Sequence, residues 1–179
     1  SLITFQETME LKNLRASLKF KTIIHQDFEK KSHIFKIDDV VFTIYKHSPC
    51  LVNMTGLKSF DEMKKYKNIL EKRFKQDVNE MKIDNTFFSK KQKKSIDLNC
   101  LYDYLKCNEY FHVNYNVELF SGMYLHPKKK EMPTLLLFHT GSYILMGGKN
   151  MKDVYRCERF LNNIILFLEK RKQCERKIK

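Results

Sequence analysis

The chain has 179 residues, 42% apolar and 13% aromatic, enough to bury a core and too apolar for a disordered basic tail. Lys and Arg outnumber Asp and Glu by 34 to 21, a net charge of +13. That excess points to nucleic acid or an anionic membrane surface, unless it only mirrors an AT-rich, lysine-rich genome.

No apolar run approaches the roughly 20 residues that cross a bilayer. The basic residues are scattered over loops instead of lining one amphipathic helix, so a membrane partner is not expected. The five cysteines lack C-x-x-C spacing and read as reduced, mostly buried residues of an intracellular protein. No metal or other cofactor is expected.

The expected elements start with a short strand at 3–5 and a helix at 9–18, then strand-like stretches at 20–24 and 33–37. Strands at 40–45 and 51–54 flank the turn signal His47-Ser48-Pro49. After Thr55-Gly56, the capping box Ser59-Phe60-Asp61-Glu62 opens a helix. Its apolar positions Phe60, Met63, Leu70 and Phe74 share one face, widened by Tyr66 and Ile69.

A second series follows: a strand at 81–84, a basic loop at 90–94, a helix at 96–105, and strand-like stretches at 111–115 and 117–125. Strands at 135–138 and 143–146 flank Thr140-Gly141-Ser142. Gly147-Gly148 then lead into a helix from 151 to about 171, striped by Val154, Cys157, Leu161, Ile164, Ile165 and Leu168. The glycine marks lie about ninety residues apart, so the chain reads as two copies of one β-α-β…β-α unit, residues 1–80 and 81–179. Helices would gather on one face of an antiparallel sheet, an α+β class.

Alternation in the last hairpin predicts what covers the other face. If Leu135, Leu137, Tyr143 and Leu145 pack on helices, then Leu136, Phe138, Ile144 and Met146 point away from them. An apolar free face marks an interaction surface, or one covered by a second layer or a second copy. With a basic rim it suits the DNA minor groove, where phenylalanines can wedge between base steps.

Residues 81–171 resemble the second repeat of the TATA-binding protein family. Lys82-Ile83-Asp84-Asn85 is similar to its opening strand. Tyr115-Asn116-Val117-Glu118-Leu119-Phe120-Ser121-Gly122 is similar to its stirrup, Tyr-Glu-Pro-Glu-Leu-Phe-Pro-Gly. Leu135-Leu136-Leu137-Phe138-His139-Thr140-Gly141, followed by Tyr143-Ile144-Leu145-Met146-Gly147-Gly148-Lys149, is similar to its closing hairpin. In the first half, Met9-Glu10-Leu11-Lys12-Asn13-Leu14 and Asn53-Met54-Thr55-Gly56-Leu57-Lys58-Ser59 resemble shorter pieces of the other repeat.

The resemblance implies a pseudo-twofold saddle: a curved antiparallel sheet with helices on its convex face, gripping and bending double-stranded, AT-rich promoter DNA through the minor groove. It implies a general initiation factor of the nucleus that nucleates a preinitiation complex. Asn85 would read base edges at the centre of the site, with Thr4 as its first-half counterpart. Phe120 and Phe138 would be wedges, with Tyr45 and Phe35 standing for them in the first half. Ile144 and Met146 would lie on the groove floor, with Asn53 and Thr55 opposite; Phe87, Thr140 and Ser142 complete the DNA-facing set. Transcription factor IIB would dock at Glu118 and Leu119, and factor IIA near Ser48 and Pro49.

The basic stretches at 90–94, 128–130 and 170–179 would supply phosphate contacts, and the first also reads as a nuclear-import signal. No phosphate-binding glycine loop, G-x-S-x-G or H-E-x-x-H motif is present, and the six histidines lie far apart, so an enzyme is not expected. A protein-binding adaptor of the same fold, with no affinity for DNA, is the alternative.

Overall fold

A computed structural model describes residues 9–24 and 27–177, with side chains through Arg171. The chain divides into two compact units, one from Leu11 to Thr86 and one that joins Met9 and Glu10 to the residues from Phe87 onward.

The N-terminal unit is built from β1 (Glu10–Phe20), β2 (Ser32–Ile37), β3 (Val40–Tyr45), β4 (Ser48–Leu57), α1 (Phe60–Phe74) and the first part of β5 (Val78–Lys90). Its strands lie in the order β2-β3-β4-β1-β5, and the β2–β3, β3–β4 and β4–β1 pairs are antiparallel. Leu14, Ala16, Leu18 and Phe20 of β1, Phe42 and Ile44 of β3, and Val52 and Met54 of β4 are buried in one cluster with Met63, Tyr66 and Leu70 of α1. Each Leu, Val, Ile, Met or Phe among them contributes roughly 1.5–3 kcal/mol by leaving water.

Helix α1 begins as its sequence predicts. The Ser59 hydroxyl accepts from the Glu62 amide at 3.1 Å, and the Glu62 carboxylate accepts from the Lys58 amide at 2.6 Å. Those amides have no partner inside the helix, which is why the cap stabilises it.

The expected helix at 9–18 is overturned: those residues belong to strand β1. Leu11, Leu14 and Leu18 recur at three and four, which imitates a helical stripe. The buried apolar set is instead Leu14, Ala16, Leu18 and Phe20, with Arg15 and Lys19 exposed between them, a period of two. Among the described residues, no helix stands between β1 and β2. The strand expected at 3–5, with Thr4, lies outside the described residues. Ser48 and Pro49 are not a turn either. They begin β4, after the two-residue turn Lys46-His47, and Ser48 pairs with Tyr45.

The C-terminal unit contains the end of β5, α2 (Leu98–Leu105), β6 (Phe111–Asn114), β7 (Gly122–Pro127), β8 (Thr134–Phe138), β9 (Tyr143–Met146) and α3 (Met151–Lys177). Its strands lie in the order β5-β9-β8-β7-β6, antiparallel throughout. Leu98, Leu101 and Leu105 of α2 are buried, as are Val154, Cys157, Leu161, Ile164, Ile165 and Leu168 of α3. Phe111 packs against Phe160 of α3 with ring centroids 4.9 Å apart. Gly56 and Gly147, the two glycine marks, both carry positive φ, 95° and 81°, where a side chain would be strained.

Of the four described cysteines Cys157 is buried, Cys50 and Cys100 are half-buried and Cys107 is exposed, so the expectation of mostly buried cysteines holds fully only at Cys157. No described helix is long and apolar enough to cross a membrane.

Candidate nucleic-acid interface

In the C-terminal unit the strand register sorts side chains onto two faces. Leu135, Leu137, Tyr143, Leu145, Met123, Leu125 and Phe88 are all buried, on the side covered by α2 and α3. The other side carries Phe87, which pairs with Met146, and Ser89, which pairs with Ile144. Leu136 lies opposite Ile144 and Tyr124, and Gly122 opposite Phe138. Apart from the closely packed Leu136 and Gly122, these residues are half-buried, because they touch their neighbours in the sheet and nothing described lies above them.

Phe120 and Phe138 meet on this open face, with ring centroids 6.1 Å apart at 67°. Phe120 also stacks on Tyr124 at 5.6 Å, and Tyr124 on His126 at 5.6 Å. The preceding turn aims Phe120. The Asn116 carbonyl accepts from the amides of Leu119 and Phe120 at 3.1 and 3.0 Å, and its side-chain oxygen accepts from the Glu118 amide at 3.1 Å. Asn116 thus closes the loop that Ser121, where the stirrup it resembles has proline, leaves less constrained. Leu119 stands 84% exposed at its tip and Phe120 returns to the face, 41% exposed.

Ser142 has another use than groove contact. Its hydroxyl donates to the Gln92 carbonyl and accepts from the Gln92 amide, both at 3.1 Å. It therefore ties down the basic segment 90–94. Thr140 is exposed, and its hydroxyl accepts from the Ser142 amide at 3.3 Å. Lys90 pairs with Glu158 at 3.8 Å and Lys94 with Glu169 at 3.3 Å, so part of that basic segment is neutralised by α3.

The N-terminal unit presents a different open face. Ser17, Asn53 and Thr43 line up across β1, β4 and β3, and Ile34 of β2 pairs with Thr43. Thr55 is exposed opposite Val41. A groove of about 670 Å³ is lined by Arg15, Ser17, Lys19, Asn53, Lys82 and Asp84, among others. The Ser17 hydroxyl donates to Asp84 at 3.3 Å. Glu80 adds a second carboxylate. This half is polar and of mixed charge, where the other is apolar.

Phe35 is corrected. It lies on the helix side, stacked on Phe42 at 5.1 Å and 10°, with the Arg73 guanidinium 4.3 Å over its ring. Its pairing with Phe42 in the register decides this, because Phe42 belongs to the buried cluster. Tyr45 is on the open face, stacked on His47 at 5.3 Å. Ser48 and Pro49 are not a stirrup. The connection between β1 and β2 precedes β2 as 115–121 precedes β7, and the Pro49 carbonyl accepts from the Ile24 amide at 3.0 Å.

Sequence reasoning missed Asn13. It is exposed on β1, as Asn85 is on β5, and the two strands are neighbours. The signal was available: Leu11-Lys12-Asn13 and Ile83-Asp84-Asn85 share one pattern, which the helix expectation hid.

Among the described residues, no group of three or more His, Cys, Asp or Glu is placed to hold a metal ion.

The model of the family described as transcription factor TFIID, or TATA-binding protein, matches residues 80–167. The solved structure of Methanococcus jannaschii TBP has the same fold, with a TM-score of 0.66 and 21% identity, over 88% of this chain and 97% of that one. No curated protein matches the chain.

Proposed function

We propose that this chain, whose residues 80–167 belong to the TATA-binding protein family, binds double-stranded DNA through the minor groove, bends it, and serves as an initiation factor for transcription. The family is one of DNA-binding transcription factors and not of enzymes, and the chain has the family's α+β fold.

The observation that carries the reading is the Phe120–Phe138 pair on an open apolar face. Apolar rings inserted between base steps unstack them and kink the duplex, as TATA-binding protein itself does. Ile144, Met146 and Phe87 supply flat apolar contact to the groove floor. Asn85 and Asn13 supply amides for base edges, with Thr55 and Asn53 beside them. AT-rich promoter DNA is the substrate of this reading and the nucleus its setting. Leu119, with Glu118 beside it, is the docking point for factor IIB.

Mobility-shift titrations on AT-rich and GC-rich duplexes test the proposal, repeated with Phe120→Ala and Phe138→Ala. Salt-dependent binding with bending, lost or reduced in both variants, is the expected result. Intact bending in both variants would sink the wedge assignment.

One observation favours a second reading. Glu80 and Asp84 line the groove of the N-terminal unit, and carboxylates repel phosphates. A protein-binding adaptor of the same fold would show no salt-dependent affinity for either duplex.

A further inference from the structure

We infer that this chain unstacks DNA at one step and not two: the C-terminal unit wedges, and the N-terminal unit holds the duplex without inserting a side chain. The inference rests on the minor-groove reading above and concerns how each unit uses its open face.

The two units have the same three-strand run before a helix, β7-β8-β9 in one and β2-β3-β4 in the other, with the same antiparallel order. Registers therefore match positions. Gly122 pairs with Phe138, and Ser32 pairs with Tyr45. Two residues before each small residue stand Phe120 and Lys30. In the C-terminal unit this gives two rings at 6.1 Å, seated over a glycine whose missing side chain makes their room. A Cβ on Gly122 would stand 2.6 Å from the Phe120 ring and 3.1 Å from the Phe138 ring.

The N-terminal unit has none of these three features. Lys30 carries a charge that must stay solvated or meet a phosphate. Ser32 carries a side chain at the register position where Gly122 has none. Tyr45 has a polar hydroxyl and stacks on His47. Its neighbouring rings are engaged elsewhere, Phe35 against Phe42 and Phe28 against the buried cluster. Ile34 is 60% exposed on this face, but it pairs with Thr43, the place of Tyr124 and not of a wedge. Insertion costs a few kcal/mol of stacking per step, and one polar ring stacked on a histidine has little apolar contact to offset it. In the polar groove Arg15, Lys19 and Lys82 outnumber the carboxylates of Glu80 and Asp84, which fits phosphate and sugar contact instead.

The test is a scan with the full chain and AT-rich duplexes in which 2-aminopurine is moved one position at a time, read together with bend angle. Fluorescence is expected to rise severalfold at one step only. Phe120→Ala with Phe138→Ala should abolish that signal and most of the bend, and Tyr45→Ala should change neither. Lys30→Phe with Ser32→Gly should add a second unstacked step. Two separate unstacked steps in the unmodified chain overturn the inference, with no variant needed. So does a Tyr45→Ala variant that loses as much bend as Phe138→Ala. Binding with no unstacked step overturns the wedge but leaves groove binding standing. No binding at low salt overturns the functional reading itself, and this inference with it.

Discussion

The ring of Phe120 stands edge-on to that of Phe138, 6.1 Å between centroids, and both lie over Gly122, whose absent side chain is the space they occupy. Phe120 comes from a loop closed by Asn116 and Phe138 from the end of β8. The pair is therefore set by a hydrogen-bonded loop on one side and a paired strand on the other.

Gly122→Ala should disturb that pair more than it disturbs the fold. The new methyl meets ring edges at 2.6 and 3.1 Å and Leu136 at 2.8 Å, and the half-exposed Phe120 can swing aside. Overpacking relieved in this way should cost about 1 kcal/mol, the low end of its range. Bending of an AT-rich duplex should fall clearly, while denaturant unfolding shifts little. Unchanged bending would remove the rings from the mechanism.

Arg15 and Lys19, exposed on β1 at the groove of the N-terminal unit, should act as phosphate contacts. Replacing either by Gln is expected to weaken binding equally on AT-rich and GC-rich duplexes. The slope of log K against log salt should become shallower by about one per residue removed, between roughly 50 and 200 mM. A loss confined to one sequence would mark them as base contacts instead.

Phe35→Ala should separate packing from DNA contact. The ring is stacked on buried Phe42 and covered by Arg73, so its removal should destabilise the chain by about 2–4 kcal/mol, somewhat less than a fully buried phenylalanine. At a temperature where the variant stays folded, its bend angle should equal that of the unmodified chain. A stable variant with reduced bending would return Phe35 to the interface.

Burial, aided by the Asp153 carboxylate, pushes the Cys157 thiol up to about 12. Below about pH 8.5, the ordinary thiol range, it is protonated in folded and unfolded chains alike and its contribution is complete. Above that, the unfolded chain releases the proton and the folded one keeps it. Stability should then fall by up to about 1.4 kcal/mol per pH unit until the folded thiol itself titrates. Unfolding midpoints near about pH 8 and about pH 10 in the native chain and in Cys157→Ala check this, the variant losing less over the interval. Thiol reagents should label exposed Cys107 at once and Cys157 only on unfolding.

Ser59→Ala removes the oxygen that accepts from the Glu62 amide at 3.1 Å. A loss of about 0.5–2 kcal/mol is expected in thermal or denaturant unfolding, with DNA binding unchanged once folding is complete.

Much of this was legible before any coordinates. The stripe of α1 is buried as Met63, Tyr66 and Leu70, and that of α3 as Val154, Cys157, Leu161 and their successors. The closing hairpin buries Leu135, Leu137, Tyr143 and Leu145, leaving Phe138, Ile144 and Met146 on the other side. These elements were readable because each is long or regular enough for one period to win, and because burial on one side leaves the alternation clean. The placement of Phe120 beside Phe138 followed from a resemblance in sequence.

Other features depended on neighbours distant in the chain. Leu14 and Leu18 satisfy a helical period as well as a strand's, and only pairing of β1 with β4 selects the strand. Which side of a strand a residue faces depends on its partner, so Phe35 could be turned inward only by Phe42. The Ser142 hydroxyl is committed by Gln92, fifty residues away. The amino-acid order by itself determined helices α1 and α3, the closing hairpin and the side on which Phe138 stands, because those are local periodicities. Tertiary structure alone decided that the two open faces differ in polarity, because register across strands, not spacing along them, chooses which side chains meet the solvent.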